Sequence, residues 1–141
     1  FRGLDDEEAR THLTLWAMMA APLLAAVDVA LVDAWDQALL TNPEILAIDQ
    51  DELGAQGRLV PSARGTWVIA KPLADGGLAV SLTNLGRRRR SVSVALAGIG
   101  AAPGLAVMDA WTGAELGQVA TVSADLAGHG TAAFVARPAG G

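Results

Sequence analysis

The chain has 141 residues, a formal net charge of −5 and no cysteine. That length is enough for one ordinary domain or slightly more. The missing cysteines exclude disulfides, thiol nucleophiles and zinc–thiolate sites, and the excess of acidic residues argues against a general affinity for nucleic acid or anionic membranes. No apolar stretch is long enough to span a membrane without a break, because Pro22 and Asp28 interrupt the best candidate.

The opening residues, FRGLDDEEAR, predict the start of a helix and not a secretory signal, since no basic region precedes an apolar one. They also lack an initiating Met, which suits a fragment or a processed chain. The acidic run from Asp5 to Glu8 complements the positive end of a helix dipole, and Asp5 or Asp6 can cap the helix. The helical pattern continues until Pro22 forbids it.

Apolar residues recur at helical spacing along this segment and predict a helix that is buried on one face, and on both faces toward its end. The first face comprises Ala9, Leu13, Trp16, Ala17 and Ala20, and the second comprises Leu15, Met18 and Met19. The Met18–Met19 pair could form a ligand surface, but methionines more often fill space in a core.

Residues 23–27 form a short apolar run without polar alternation, which ends at Asp28. Such a run is typical of a strand covered on both faces, as in a parallel sheet with helices outside, although a short buried helix could look the same. Such a strand needs parallel neighbours, and the chain has no second segment of this kind. Each unpaired buried backbone group costs about 1–3 kcal/mol. Residues 1–52 are therefore expected to need packing against the rest of the chain, against further sequence or against another chain.

Two short helices are predicted next, at residues 33–40 and 43–50. Asn42 is a good N-cap, Pro43 fits the first helical position, and Glu44 suits the first turn. The order helix, strand, helix, helix matches one turn of an α/β barrel or of a doubly wound sheet.

The pattern changes between Asp51 and Arg64, where Gly54, Gly57 and Pro61 interrupt helical periodicity. Beyond them, short β-type runs between Gly-rich turns predict an antiparallel sandwich. The runs are 66–70, 78–83, 91–96, 105–110, 119–122 and 131–137, with turns at 75–77, 111–113 and 128–130. We place the boundary near 53–58, which divides the chain into an α/β part at 1–57 and an all-β part at 58–141.

Few residues suggest a catalytic, metal-binding or ligand-binding role. Arg87–Arg90 could contact phosphate groups, but the run has no interleaved aromatic residues and suits a solvated hairpin turn. His12 and His129 lack carboxylate partners at metal-ligand spacing, so structural roles are expected. Asp28 ends the barrel-type strand, at the side where active sites are built, although capping or bonding the next loop is the commoner role.

The residues alone predict a chain with two structurally different parts and no recognisable set of catalytic side chains. No Gly-x-Ser-x-Gly elbow, Walker motif or dinucleotide-binding glycine pattern occurs.

Three stretches are similar to the C-terminal third of the α-galactosidases of glycoside hydrolase family 27: LTLWAMMAAPLLAAVD, LLTNPEILAIDQDELGAQG and WVIAKPLADGGLAVSLTN. The likeness covers residues 3–86, fades over 87–125 and returns at 127–130. The matching residues are Trp16, Ala17, Ala21, Pro22, Leu23, Asn42, Glu44, Ala47, Gln50, Asp51, Leu53, Gly54, Gln56, Gly57, Lys71, Pro72, Leu73, Asp75, Gly76, Ala79, Val80 and Asn84.

The resemblance implies that residues 1–52 are the last helices and last strand of a (β/α)₈ barrel, and that residues 58–141 are an antiparallel C-terminal β-sandwich packed on it. Members of the family hydrolyse terminal α-galactosides with retention, using one Asp as nucleophile and another as acid/base. In the family both come from earlier barrel strands. The chain also departs from the family at Ala26-Val27, where many members have Ser-Asn or Gly-Cys.

Accordingly, no catalytic, substrate-binding or metal-ligating residue is assigned to this chain, and no cofactor is expected. The chain alone is expected to be inactive and to meet a galactoside only through a barrel part outside it, with no nucleic-acid or membrane partner. The alternative is a carbohydrate-binding or interaction module using Trp67 and Trp111, although packing is expected for both. The resemblance is compatible with secretion; compartment, preferred sugar and oligomeric state stay open.

Overall fold

The computed structural model describes residues 3–24 and 31–138. Helices come first: α1 (Asp6–Met18), α2 (Ala34–Leu40) and α3 (Pro43–Asp49). The strands that follow are β1 (Arg58–Val60), β2 (Thr66–Pro72), β3 (Leu78–Asn84), β4 (Arg90–Ala95), β5 (Leu105–Asp109), β6 (Glu115–Gly117), β7 (Thr121–Leu126) and β8 (Thr131–Pro138). Within the described ranges, none of the helices has the length and apolar character needed to cross a bilayer.

Helix α1 begins as predicted, with Asp5 as its N-cap. The Asp5 carboxylate accepts a hydrogen bond from the backbone N–H of Glu8 at 2.8 Å, and the Glu8 carboxylate accepts one from the N–H of Asp5 at 3.2 Å. This reciprocal pair is a capping box. The helix ends at Met18, well before Pro22, and Ala20 takes a left-handed φ of 51°.

The burial of α1 differs in part from the predicted faces. Ala9, Leu13, Ala17 and Met18 are buried as expected. Trp16 and Met19 are 37% and 42% exposed, so the expectation that both belong to buried faces is wrong for these two residues. The described neighbours therefore cover one face of the helix and leave the face with Trp16 and Met19 open.

The strand predicted at 23–27 falls mostly on residues that the structure does not describe. Residues 25–27 and Asp28 lie outside the described ranges, and Leu23 and Leu24 are described without strand structure.

Both short helices begin with a side-chain cap, of which the cap at Asn42 was predicted and the cap at Asp33 was not. The Asp33 carboxylate accepts from the N–H of Asp36 at 2.8 Å at the start of α2. The Asn42 side chain accepts from the N–H of Ile45 at 2.9 Å, and Pro43 occupies the first turn of α3.

The strands form two antiparallel sheets, as predicted. A six-stranded sheet has the order β1-β2-β3-β8-β5-β6, and β4 pairs with β7 in a second sheet. Alternate side chains of the large sheet pack against the small sheet, since successive residues of a strand point to opposite faces. This core includes Val68, Val80, Leu82, Val92, Val107, Val122 and Phe134.

The opposite face of the large sheet packs against the helices. The hydrophobic core between this face and the helices contains Ile69, Ala79 and Val135 of the sheet, together with Leu13 of α1 and Ile45 of α3. Strand β3 is consequently buried at every position, because the small sheet covers one face and the helices the other. The helices and one face of the large sheet thus share a hydrophobic core, and a second core lies between the two sheets.

Several strand details depart from the predictions. Strands β1 and β6 are each three residues long and were not predicted, and β7 runs from Thr121 to Leu126 and not over 119–122. Strands β3 and β4 belong to different sheets. The Arg87–Arg90 connection is exposed as expected, but it crosses between the sheets, so it is not a hairpin turn.

Candidate functional site

The junction between the helices and the sandwich contains a fully buried lysine. Lys71 of β2 has 0% exposure, and its Nζ donates to the carbonyl oxygen of Ala17 at 3.0 Å and to that of Ile48. These carbonyls lie in the last turns of α1 and α3, and neither last turn contains a basic residue. Because the carbonyl end of a helix attracts cations, Lys71 supplies to both helices the positive group that they lack.

Two carboxylates influence this lysine. Burial lowers the pKa of Lys71 below 10.5, while the charges of Asp49 and Asp51 partly counteract that effect. Burial raises the pKa of Asp49, and the charge of Lys71 partly opposes the rise. Oδ1 of Asp49 is buried and has no hydrogen-bond partner among the described residues. Removal from water therefore outweighs mutual attraction for both groups.

Asp51 has a different role at the same junction. Its carboxylate accepts hydrogen bonds from the backbone N–H of Ala74 at 2.9 and 3.1 Å and from that of Leu53 at 3.1 Å. It thereby fixes the chain after α3 to the turn between β2 and β3.

A glycine allows the chain to pass closely over the end of α1. The N–H of Gly57 donates to the carbonyl oxygen of Met18 at 2.8 Å. A Cβ at this position would lie 2.6 Å from Cγ2 of Ile69 and 2.7 Å from the Met18 oxygen. Any larger residue at 57 must therefore separate the helix from the sheet.

Trp111 is part of the packing between the sandwich and α1. Its Nε1–H donates to Oγ1 of Thr14 at 3.1 Å, and the guanidinium of Arg10 lies 5.5 Å from the ring centroid. Its carbonyl oxygen accepts from the Asn42 side chain at 3.3 Å. These contacts match the packing role expected for Trp111. Trp67, the other candidate aromatic, is 41% exposed on β2.

An ion-pair cluster joins the sandwich to α3 at another point. Nη1 of Arg137 in β8 lies 3.0 Å from Oε2 of Glu44, and its Nε lies 3.2 Å from Oδ2 of Asp75. All three side chains are partly exposed. The cluster connects the first turn of α3, the β2–β3 turn and the last strand.

The arginine run is held in place by a buried asparagine. The Asn84 side chain, with 0% residue exposure, donates to the carbonyl oxygens of Arg88 and Ala127, both at 2.8 Å. Arg89 forms an exposed ion pair with Asp125 at 3.2 Å, and Nη1 of Arg90 donates to the Arg64 carbonyl oxygen.

The two histidines lie near each other on the surface of α1 and the β7–β8 turn. Both line a shallow open groove of about 450 Å³, together with Leu4, Glu8, Thr11 and Leu15. The His12 ring meets Trp16 edge-on, with centroids 5.6 Å apart, and the His129 carbonyl oxygen accepts from Thr11 at 2.7 Å. In the part of the chain that is described, no cluster of three or more His, Asp or Glu side chains could hold a metal ion.

The sequence predicts the caps of α1 and α3 and the packing role of Trp111, but it does not reveal the chemistry of Lys71. In the sequence, Lys71 stands out only as a position shared with the family pattern. The available signal was one lysine within the run Thr66–Pro72, combined with two helix ends that have no basic residue. Asp28, the candidate rim carboxylate, lies outside the described residues.

The fold and the junction define a helical segment that ends against a C-terminal antiparallel sandwich, and comparisons with known proteins specify the class. Residues 63–136 match the α-galactosidase C-terminal β-sandwich domain, and residues 1–51 match the α-galactosidase A family. The chain belongs to the α-galactosidases of glycoside hydrolase family 27 and corresponds to their C-terminal portion, with a barrel end followed by a sandwich.

Curated relatives extend well beyond this chain. The α-galactosidase of Cyamopsis tetragonoloba is 34% identical over 139 residues, which are 96% of this chain and 34% of that protein. The α-galactosidase of Oryza sativa subsp. japonica is 33% identical over 138 residues, covering 96% of this chain and 33% of that protein. The chain thus spans about a third of the length of these relatives.

Solved structures show the same fold. A family 27 β-L-arabinopyranosidase from Geobacillus stearothermophilus matches 99% of this chain and 32% of its own, with a TM-score of 0.88 and 28% identity. α-Galactosidase I from Mortierella vinacea matches 98% of this chain and 37% of its own, with a TM-score of 0.90 and 22% identity. The second likeness bears on the fold alone.

Proposed function

We propose that this chain serves as the C-terminal part of an α-galactosidase-like retaining glycosidase, and that it is inactive alone. The observation that carries the proposal is the match of 96% of this chain to the α-galactosidase of Cyamopsis tetragonoloba, of which it spans 34%. In this role the chain completes a barrel and supports it with a sandwich, and residues of the remaining barrel hydrolyse terminal α-galactosides. The boundary between the two parts, near residue 57, belongs to the same proposal.

Contacts at the junction indicate that the sandwich holds the helices of the barrel end in place. Lys71 and Gly57 bind the carbonyl oxygens at the end of α1, from which the chain continues toward the predicted barrel strand. Arg137 binds the start of α3 through Glu44. Helix α1, which precedes the predicted strand, and helix α3, which follows α2, are therefore both held from the sandwich side.

The exposed apolar residues support contact with a further barrel part. Leu24 and Leu31 are 87% and 72% exposed, and Trp16, Met19 and Leu53 are between 37% and 52% exposed. These five residues lie in the helical part of the chain, and the sandwich also exposes Leu59, Trp67, Leu85 and Leu116. Apolar side chains of this number and size are commonly covered by protein in the assembled state. We propose that the remaining barrel covers them and that the galactoside is met only there.

A chimera tests the proposal. The segment of the Cyamopsis tetragonoloba enzyme that matches this chain is replaced by residues 1–141, and hydrolysis of an aryl α-galactoside is measured. The proposal predicts measurable hydrolysis by the chimera and none by the same enzyme truncated before the segment. A second chimera that exchanges only residues 63–136 keeps the test informative if the longer exchange does not fold. A folded chimera without activity would contradict the proposal.

A further inference from the structure

Asp49 occupies an unfavourable place for a negative charge. It is the last residue of α3, where the helix dipole is negative and the last turn has no basic residue. Its Oδ1 is buried, and none of the described residues donates a hydrogen bond to it. A carboxylate in such a place loses hydration without receiving full compensation.

Lys71 does not provide that compensation. Its Nζ donates to the carbonyl oxygens of Ala17 and Ile48, and no ion pair within 4.0 Å joins it to Asp49 in the described part of the chain. The second carboxylate that acts on Lys71, Asp51, is bonded to the backbone of Ala74 and Leu53. Helix α1 contributes the backbone carbonyl of Ala17 to this junction, where it accepts a hydrogen bond from Lys71.

We propose that Asp49 makes the helix–sandwich junction an acid-tightened joint: the folded chain takes a proton onto Asp49 as the pH falls, and the helices then dock more firmly. The protonated carboxyl carries no charge, so the repulsion from the helix dipole is removed and the cost of dehydration is smaller. The device goes beyond the proposed glycosidase role, and its test does not depend on that role.

The direction follows from linkage between protons and folding. The pKa of Asp49 in the folded chain is raised above its ordinary value of 3.8, with burial as the first cause. Between those two values the folded chain binds more protons than the unfolded chain. Stability therefore increases as the pH falls through the raised pKa, and the gain is complete below 3.8.

The test compares urea denaturation of the 141-residue chain with that of the Asp49→Asn variant from pH 7.5 downward. Asn resembles the protonated carboxyl in shape and lacks the charge. The variant should unfold at a higher urea concentration than the wild type near neutral pH, and the midpoints should converge as the pH falls below 3.8. Glu52→Gln is the matched control, because Glu52 is exposed and its removal changes the net charge equally. The urea midpoint of Glu52→Gln should change with pH as that of the wild type does, without the convergence expected for Asp49→Asn.

A constant offset between wild type and Asp49→Asn at all pH values would overturn the proposal, and so would a variant that is less stable near neutral pH. Carboxyl ¹³C NMR of the wild-type chain provides a second measurement that needs no variant. A titration midpoint for Asp49 above 3.8 supports the acid-tightened joint, and a midpoint at or below 3.8 contradicts it.

Discussion

Nζ of Lys71 lies 3.0 Å from the carbonyl oxygen of Ala17, so that a side chain of the sandwich ends on the backbone of the first helix. The same amine bonds the Ile48 carbonyl oxygen of α3. One buried residue therefore ties two helix ends to the large sheet, and several measurable consequences follow from that connection and its neighbours.

Replacing Lys71 with Met should destabilise the chain by about 2 kcal/mol. The substitution leaves two buried carbonyl oxygens without this donor, at about 1–3 kcal/mol each, and the relief from burying a cation offsets part of that cost. Urea denaturation at neutral pH measures the difference. Arg87→Met serves as the control and should change stability by less than about 0.5 kcal/mol, since Arg87 is exposed. Equal stability of Lys71→Met and wild type would show that the amine does not hold the helices.

Replacing Gly57 with Ala should destabilise the chain by about 1–3 kcal/mol through overpacking. The new Cβ would lie 2.6 Å from Ile69 and 2.7 Å from the Met18 oxygen, so the backbone must shift. The matched control is Gly98→Ala, because a Cβ at Gly98 meets no atom within 4 Å. The two melting temperatures should separate clearly, and a shift of the same size in both variants would argue against a close approach at Gly57.

Replacing Arg137 with Met should cost about 1 kcal/mol, since the two partly exposed ion pairs contribute roughly 0.2–1 kcal/mol each. The loss should shrink at high salt, where exposed pairs are screened. Arg89→Met is the control, because its pair with Asp125 is more exposed and its removal should have little effect. Urea denaturation of both variants at low and at high sodium chloride concentration measures how much of each loss in stability depends on salt. A salt-independent loss in Arg137→Met would point to packing as the cause.

Replacing Trp111 with Ala should lower the melting temperature, because Trp111 is expected to pack against α1 and not to bind sugar. The ring bonds Thr14 and lies beside Arg10, so its removal opens a gap between α1 and the sandwich, at a cost of about 2–4 kcal/mol. Titration with galactose should leave the Trp fluorescence of the wild type unchanged. A sugar-dependent signal that vanishes in Trp111→Ala would favour the carbohydrate-binding alternative.

Local signals made much of the fold predictable. Asp5 and Asn42 begin helices with the predicted side-chain caps, and the longer strands show runs of apolar residues between glycine turns. Strands β1 and β6, with three residues each, are too short to show alternation. The end of α1 depends on Ala20, whose left-handed backbone has no marker such as glycine.

The candidate site was less predictable, because its contacts join residues far apart in the chain. Lys71 meets Ala17 and Ile48 only after the sheet has folded against the helices. The crossing of Arg87–Arg90 between sheets likewise depends on strand order, which local sequence does not encode. The family resemblance supplied the division into barrel end and sandwich, but the buried amine emerged only from the packing.

The most direct test of the proposed function is an assay of the 141-residue chain alone, after circular dichroism has confirmed that it is folded. Release of galactose from an aryl α-galactoside is measured against a buffer blank. The account predicts no release above the blank, because the catalytic pair of such an enzyme is proposed to lie in the remaining barrel. Release that increases in proportion to the concentration of the purified chain would contradict it.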